Sequence, residues 1–128
     1  MSKMTPIFNR NKMDNKKYLE LSDRTCKHIT EDFVIAPNTF DLLHATLGIT
    51  GEAGELADAV KKSIFYSKPL DVANMREEIG DIMWYIALAC RTLDFDLGEL
   101  LDENIAKLQK RYPEKYTDQH ATMRLDKQ

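Results

Sequence analysis

The stretch "IMWYIALAC", residues 82–90, constrains this chain more than any other. An α-helix turns 100° per residue, so nine residues make about two and a half turns. These nine leave no polar face. A helix that is apolar all round has to be buried all round. The run is too short to cross a bilayer, which takes roughly 20 apolar residues, so protein must cover it. In a chain of 128 residues, four helices can hardly do this, and the expectation is a second subunit. The alternative keeps Trp84 and Leu88 under the N-terminal helix of the same chain.

The rest of the sequence reads as helix as well, with no segment of strand period, no repeat and no low-complexity tract. Residues 1–13 read as a polar arm. A helix starting near Asp14 or Asn15 is expected to reach about Thr30, with Tyr18, Leu21, Cys26 and Ile29 on its apolar face. "APN" at 36–38 breaks it. Asn38 or Thr39 is placed to cap a second helix over about 39–66, which "SKPLD" ends because Pro69 disfavours helical geometry at Lys68. Asp71 is placed to cap a third helix reaching Leu93. Asp96 and Glu99 make a capping-box variant that opens a fourth, about 97–111, stopped by Tyr112-Pro113. Residues 114–128 read as a polar tail, extended or partly disordered. The fold class is all-α: a four- to five-helix bundle-like domain over residues 14–113.

Composition sets the outer limits. The chain is 43% hydrophobic and 30% charged, with net charge −3, which suits a globular protein and argues against life on nucleic-acid phosphate. Its two cysteines, Cys26 and Cys90, show no C-x-x-C spacing, as expected of reduced, inert thiols inside a cell. "MSKMTPIFNRNK" lacks an apolar signal region. The expectation is a cytoplasmic protein with neither nucleic acid nor membrane as a partner.

Chemistry concentrates on the second and third helices. In "GITGEAGEL", residues 48–56, Glu52 and Glu55 stand one turn apart beside the stripe of Leu42, Ile49, Leu56 and Val60. Glu78 and Asp81 repeat that geometry beside Met75, Ile79, Ile82 and Ile86, and Tyr85 projects between them. A short loop joins the two helices, which are expected to lie antiparallel. Facing stripes then bring four carboxylates to one edge. E-x-x-E and E-x-x-D are common on solvated faces, and either pair alone means little. A convergent quartet needs protons or a cation, and all-oxygen ligands suit Mg²⁺, with Mn²⁺ as a substitute. A di-iron bundle needs Glu-x-x-His. No glutamate here has a histidine three residues on, and His28, His44 and His120 are scattered. His44 reads as a core-edge or capping residue. Gly48, Gly51 and Gly54 cost helix propensity, for which the close approach of a facing backbone is the expected reason.

The fourth helix offers complementary charge. Asn104, Lys107 and Arg111 share one face and form a row of donors able to hold phosphate oxygens; equally, they suit a solvated helix C-terminus. No phosphate-cradling glycine loop and no serine triad is present.

Taken together, "GEAGEL…REEIGDIMWYIALA…NIAKLQKRYP" resembles the MazG-like nucleoside triphosphate pyrophosphohydrolases, members of the all-α NTP pyrophosphatase superfamily, over about residues 38–113. Their E-x-x-E, spacer, E-x-x-D signature is matched by Glu52, Glu55, Glu78 and Asp81. The resemblance implies Mg²⁺-dependent hydrolysis of a (deoxy)nucleoside triphosphate to the monophosphate and pyrophosphate, in a dimer or tetramer. It implies the quartet as metal ligands and Glu52 or Glu55 as the base that activates water. Asn104, Lys107 and Arg111, with Lys62, would then hold the triphosphate, while Tyr85 orients a carboxylate or touches the sugar. The projection of Trp84 points away from Glu78 and Asp81, so core or interface is expected for it. Competing readings are the same scaffold acting on (p)ppGpp or a modified nucleotide, and a non-catalytic helical interaction module.

Overall fold

The computed structural model describes residues 14–128; the expected arm over 1–13 lies outside the described residues. One unit ends at Val34 and a second runs from Ile35 to Gln128. The described residues form α1 (Asn15–Asp23), α2 (Pro37–Phe65), α3 (Val72–Leu93), α4 (Leu97–Arg111), α5 (Asp118–Met123) and a 3-10 turn (Leu125–Lys127). No strand occurs among them, and the all-α expectation holds.

In the first unit, Asp14 caps α1 by accepting a hydrogen bond from the Lys17 amide at 2.7 Å. The helix stops at Asp23 rather than near Thr30. The amides of Thr25 and Cys26 turn back onto the carbonyls of Ser22 and Asp23. Every residue from Thr25 to Thr30 except Lys27 is a weak helix former. No side chain of α1 is buried, so nothing repays extending it.

The second unit begins with Pro37 in the first turn of α2. Ala36 is the N-cap and makes no side-chain cap bond, so the expected caps Asn38 and Thr39 lie inside the helix. Proline suits this position because the first-turn amides have no helical partner in any case. After Phe65, Ser67 takes a left-handed conformation (φ 51°) and the chain reverses. Asp71 then caps α3 as expected, accepting from the Asn74 amide at 2.9 Å. Left-handed Asp94 (φ 55°) ends α3, and the Phe95 amide returns to the Cys90 carbonyl at 2.9 Å. Asp96 caps α4 through the Glu99 amide, also at 2.9 Å.

The principal packing is α2 against α3. It buries little: Ala45 is fully buried and Cys90 nearly so, and no large side chain is fully buried. In the apolar run of α3, Met83 and Trp84 stay exposed and the residues from Tyr85 to Ala89 are half-buried. Phe40, Leu47, Ile64 and Phe65 of α2, with Leu101 and Ile105 of α4, are exposed too.

Residues beyond Pro113 are not extended. Thr117 caps α5 through the His120 amide, and α5 and the 3-10 turn both pack on α4. Asp126 joins this segment to α4: its two carboxylate oxygens accept from Nε and Nη2 of Arg111, each at 2.8 Å. Its side chain is only 1% exposed. Hydrogen bonding to Arg111, aided by Arg124, holds the Asp126 carboxyl far below the usual carboxylate range despite its burial. A carboxylate with a depressed native pKa contributes stability above its unfolded value, about 3.9, and that contribution fades as the pH falls through and below it. The stability difference between wild type and Asp126→Asn, from denaturant unfolding, is therefore expected to be constant above about pH 5 and to shrink progressively in more acid solution.

Candidate functional site

The α2–α3 hairpin brings together residues 23 or more apart in sequence. One carboxylate oxygen from each of Glu52, Glu55 and Glu78 lies within 4.8 Å of the others. Glu78 is buried, Glu52 half-buried and Glu55 exposed. The Glu78 carboxyl is held above the usual carboxylate range. The hydrogen bond it shares with Glu52 is the main cause, followed by burial and by the charges of Glu52 and Asp81, while a hydrogen bond with Asn74 acts the other way. Like charges this close cannot all ionise without a counter-charge. The raised pKa of Glu78 is one response to this crowding. The donor set, hard carboxylate oxygens converging on one point, fits a hard divalent cation.

Asp81 stands apart from this trio. It lines a recess of about 330 Å³ with Glu52, Trp84 and Tyr85. Three of the expected quartet thus form the tight cluster, and the fourth faces the same edge from the aromatic side. The rings here are packed: Trp84 and Tyr85 lie edge to face with centroids 5.0 Å apart, and His44 approaches them at 6.2 and 5.6 Å. Although its projection points away from Asp81, Trp84 lines the recess beside it, and its exposure places it outside the core. It is three residues beyond Asp81, hence its neighbour one turn on, and a long helical side chain lies over the turn N-terminal to its own Cα. Half of Trp84 is exposed (54%). His44 and Trp84 were both missed as site residues. The available signal was the i, i+4 ladder His44–Gly48–Glu52 along α2.

The glycines divide. A methyl group on Gly48 would run into the Tyr85 ring, whereas Gly51 and Gly54 would meet nothing within 4 Å. The close approach is therefore made by a side chain of α3, at one glycine rather than three.

On the other side of the cluster lies a polar recess of about 520 Å³, lined by Glu55, Asp58, Ala59, Lys62, Lys68, Pro69, Asp71 and Asn74. Lys62 is here, as its helical position implied. Its ammonium is 2.6 Å from Asp58, which also pairs with Lys61 at 3.2 Å. The Asp58 hydrogen bond raises the Lys62 pKa, and Glu55 adds to the effect. Lys68, unremarked in the sequence, joins it through the α2–α3 turn.

The row on α4 is placed differently. Asn104 and Lys107 are exposed, and Arg111 is engaged by Asp126. Among the described residues, no hydrogen bond or ion pair links any of the three to the carboxylates. Substantial packing of α4 is with α5 and the 3-10 turn.

The profile of the MazG nucleotide pyrophosphohydrolase domain matches residues 40–116. That span holds α3, α4 and all but the first three residues of α2, with the clustered carboxylates. The chain belongs to this family of all-helical nucleotide pyrophosphohydrolase domains. The gene 37 protein of Mycobacterium phage L5 is 38% identical over 74 residues, which are 55% of this chain and 65% of that protein. The chain thus spans just under two thirds of that relative, whose name carries no function. No solved structure matches the chain. No helix among the described residues is long and apolar enough to cross a membrane.

Gly48→Ala is expected to destabilise the hairpin by about 1–3 kcal/mol through overpacking against Tyr85, outweighing the roughly 1 kcal/mol that alanine gains in helix propensity. Gly51→Ala lacks that clash within the chain. Denaturant unfolding of the two variants compares them directly.

Proposed function

We propose that this chain hydrolyses (deoxy)nucleoside triphosphates to the monophosphate and pyrophosphate, with Mg²⁺ held by Glu52, Glu55, Glu78 and Asp81. One observation carries the reading: the carboxylate cluster stands between a recess lined by two lysines and a recess walled by aromatic rings. A nucleotide has the same polarity, with anionic phosphates at one end and a stacking base at the other. The scissile bond would lie between these ends, over the carboxylates.

The residues divide the work accordingly. Mg²⁺, or Mn²⁺ in its place, would neutralise phosphate oxygens and acidify water. Glu52 or Glu55 accepts the proton of the water that attacks the α-phosphorus. Glu55 is the more exposed of the two and borders the lysine recess, and Glu52 borders the aromatic one. Lys62 and Lys68 face the outer phosphates, Lys62 turning from Asp58 toward a stronger anion. Tyr85, held by Gly48 and by its packing on Trp84 and His44, sets the position of the sugar.

Asn104, Lys107 and Arg111 complete the phosphate site from α4. Because α4 does not pack substantially on its own hairpin, a homodimer or homotetramer is the natural way to bring this row to the carboxylates. The exposed apolar residues of α2, α3 and α4 support such an assembly, since a hairpin with so small a core leaves much apolar surface for a partner to bury. A cytoplasmic location agrees with this chemistry.

Purified protein with Mg²⁺ and a panel of NTPs, dNTPs, modified nucleotides and (p)ppGpp is expected to release pyrophosphate, not orthophosphate, from the triphosphates. Glu55→Gln and Asp81→Asn are each expected to abolish turnover while leaving the helical circular dichroism intact. Retained activity in both would sink the assignment of the quartet, and turnover of (p)ppGpp alone would reassign the substrate. Mg²⁺ is further expected to raise the melting temperature of the wild type, as any ligand of the native state does, and to leave that of Glu55→Gln nearly unmoved. A non-catalytic interaction module would show neither effect.

A further inference from the structure

The C-terminal segment supplies a residue that the family match, ending at residue 116, does not reach. We propose that Asp126 is a positioning residue for phosphate binding: by gripping Arg111 along one edge it presents the other edge of the guanidinium to the substrate. This rests on Arg111 taking a phosphate, as proposed above.

The geometry of the pair supports the assignment. A guanidinium carries five N–H donors and has two edges able to make a bidentate bond. Asp126 occupies the edge formed by Nε and Nη2, at 2.8 Å on each. The end edge, Nη1 with the second proton of Nη2, has no carboxylate on it among the described residues. The Tyr112 ring lies nearby, 5.9 Å from the guanidinium carbon, and Tyr116 packs on Tyr112 with centroids 5.4 Å apart. Arg111 is therefore held on one edge while its side chain stays 17% exposed. A fork pre-oriented this way loses little freedom when it binds phosphate.

Asp126 is itself well anchored. It is almost fully buried and lies in the 3-10 turn that packs on α4, with the Arg124 guanidinium approaching it at 3.4 Å. Bidentate pairing on the side edge leaves the end edge of the guanidinium without a carboxylate.

Two readouts test this on the full chain: binding of inorganic tripolyphosphate by calorimetry, and steady-state kinetics with the nucleotide that gives most turnover. Both are run well below the melting temperature of each variant. Asp126→Asn is expected to raise the tripolyphosphate Kd and the nucleotide KM about tenfold, the effect usual for a supporting partner behind a ligand-binding group, with kcat changed less than about twofold. Asp126→Glu, which keeps the charge, is expected to recover most of the loss. Arg111→Gln is expected to lose at least as much affinity, and Asp126→Asn is expected to add nothing further in that background. The proposal is overturned if Arg111→Gln weakens binding and Asp126→Asn does not. Tighter binding of tripolyphosphate by Asp126→Asn also overturns it, because the carboxylate would then be competing with phosphate. So does a wild-type chain that does not bind tripolyphosphate at all. If no nucleotide is turned over but tripolyphosphate binding still follows Arg111 and Asp126 as expected, the catalytic reading fails and the positioning role stands. Should the nucleotide KM stay unchanged in Asp126→Asn while turnover persists, the positioning role fails alone.

Discussion

The pairing of α2 with α3 forces like charges together, and the rest of the site depends on that constraint. Glu52, Glu55 and Glu78 meet within 4.8 Å, and the buried member, Glu78, holds its proton more tightly than an ordinary glutamate. A cluster with this cost persists only where something opposes it. Part of the opposition is the tighter hold of Glu78 on its proton, and part is the two continuous helices, α3 capped by Asp71, that fix where the carboxylates stand. The Asp71 cap matters here out of proportion to its size. It sets the start of α3 and hence the phase at which Glu78 and Asp81 face α2.

The elements whose ends are written in local chemistry were legible in the sequence. Asp71 and Asp96 cap the helices they were expected to cap, and α3 and α4 end at Leu93 and Arg111 as expected. At α2 the proline itself, rather than Asn38 or Thr39, opens the helix, because a first-turn proline gives up no hydrogen bond. Elements decided at a distance were not legible. The C-terminal segment folds because Asp126 finds Arg111, 15 residues away, and no local pattern announces such a pair. The shortening of α1 has the converse cause, for its weak propensity meets no packing to override it.

The site shows the same division. The acidic residues were readable because their spacing on two helices is a one-dimensional pattern, and the structure brings three of them into one cluster. The aromatic wall was not readable. Projection onto a helical wheel treats a side chain as a point above its Cα, whereas Trp84 is long enough to reach back over the turn that carries Asp81. Gly48 is likewise explained only by the Tyr85 ring that occupies the space its missing side chain leaves. Gly51 and Gly54 have no such neighbour, so the glycine pattern that looked like one device in the sequence is at most one working position in this chain.

In the second unit the clustered carboxylates lie on the hairpin, Lys62 and Lys68 of the polar recess lie near the end of α2 and in the α2–α3 turn, and Arg111 of α4 is bound to the chain's own C-terminal segment. The basic groups that would neutralise the cluster are instead held apart from it by local partners: Asp58 for Lys62 and Asp126 for Arg111. Keeping them apart has a chemical consequence. A cluster that had already paired its carboxylates with its own arginines would offer a polyphosphate neither a cation-binding face nor free donors. Local partners that satisfy only part of each group, such as one edge of the Arg111 guanidinium, leave the remainder available to a ligand that carries several negative charges at once.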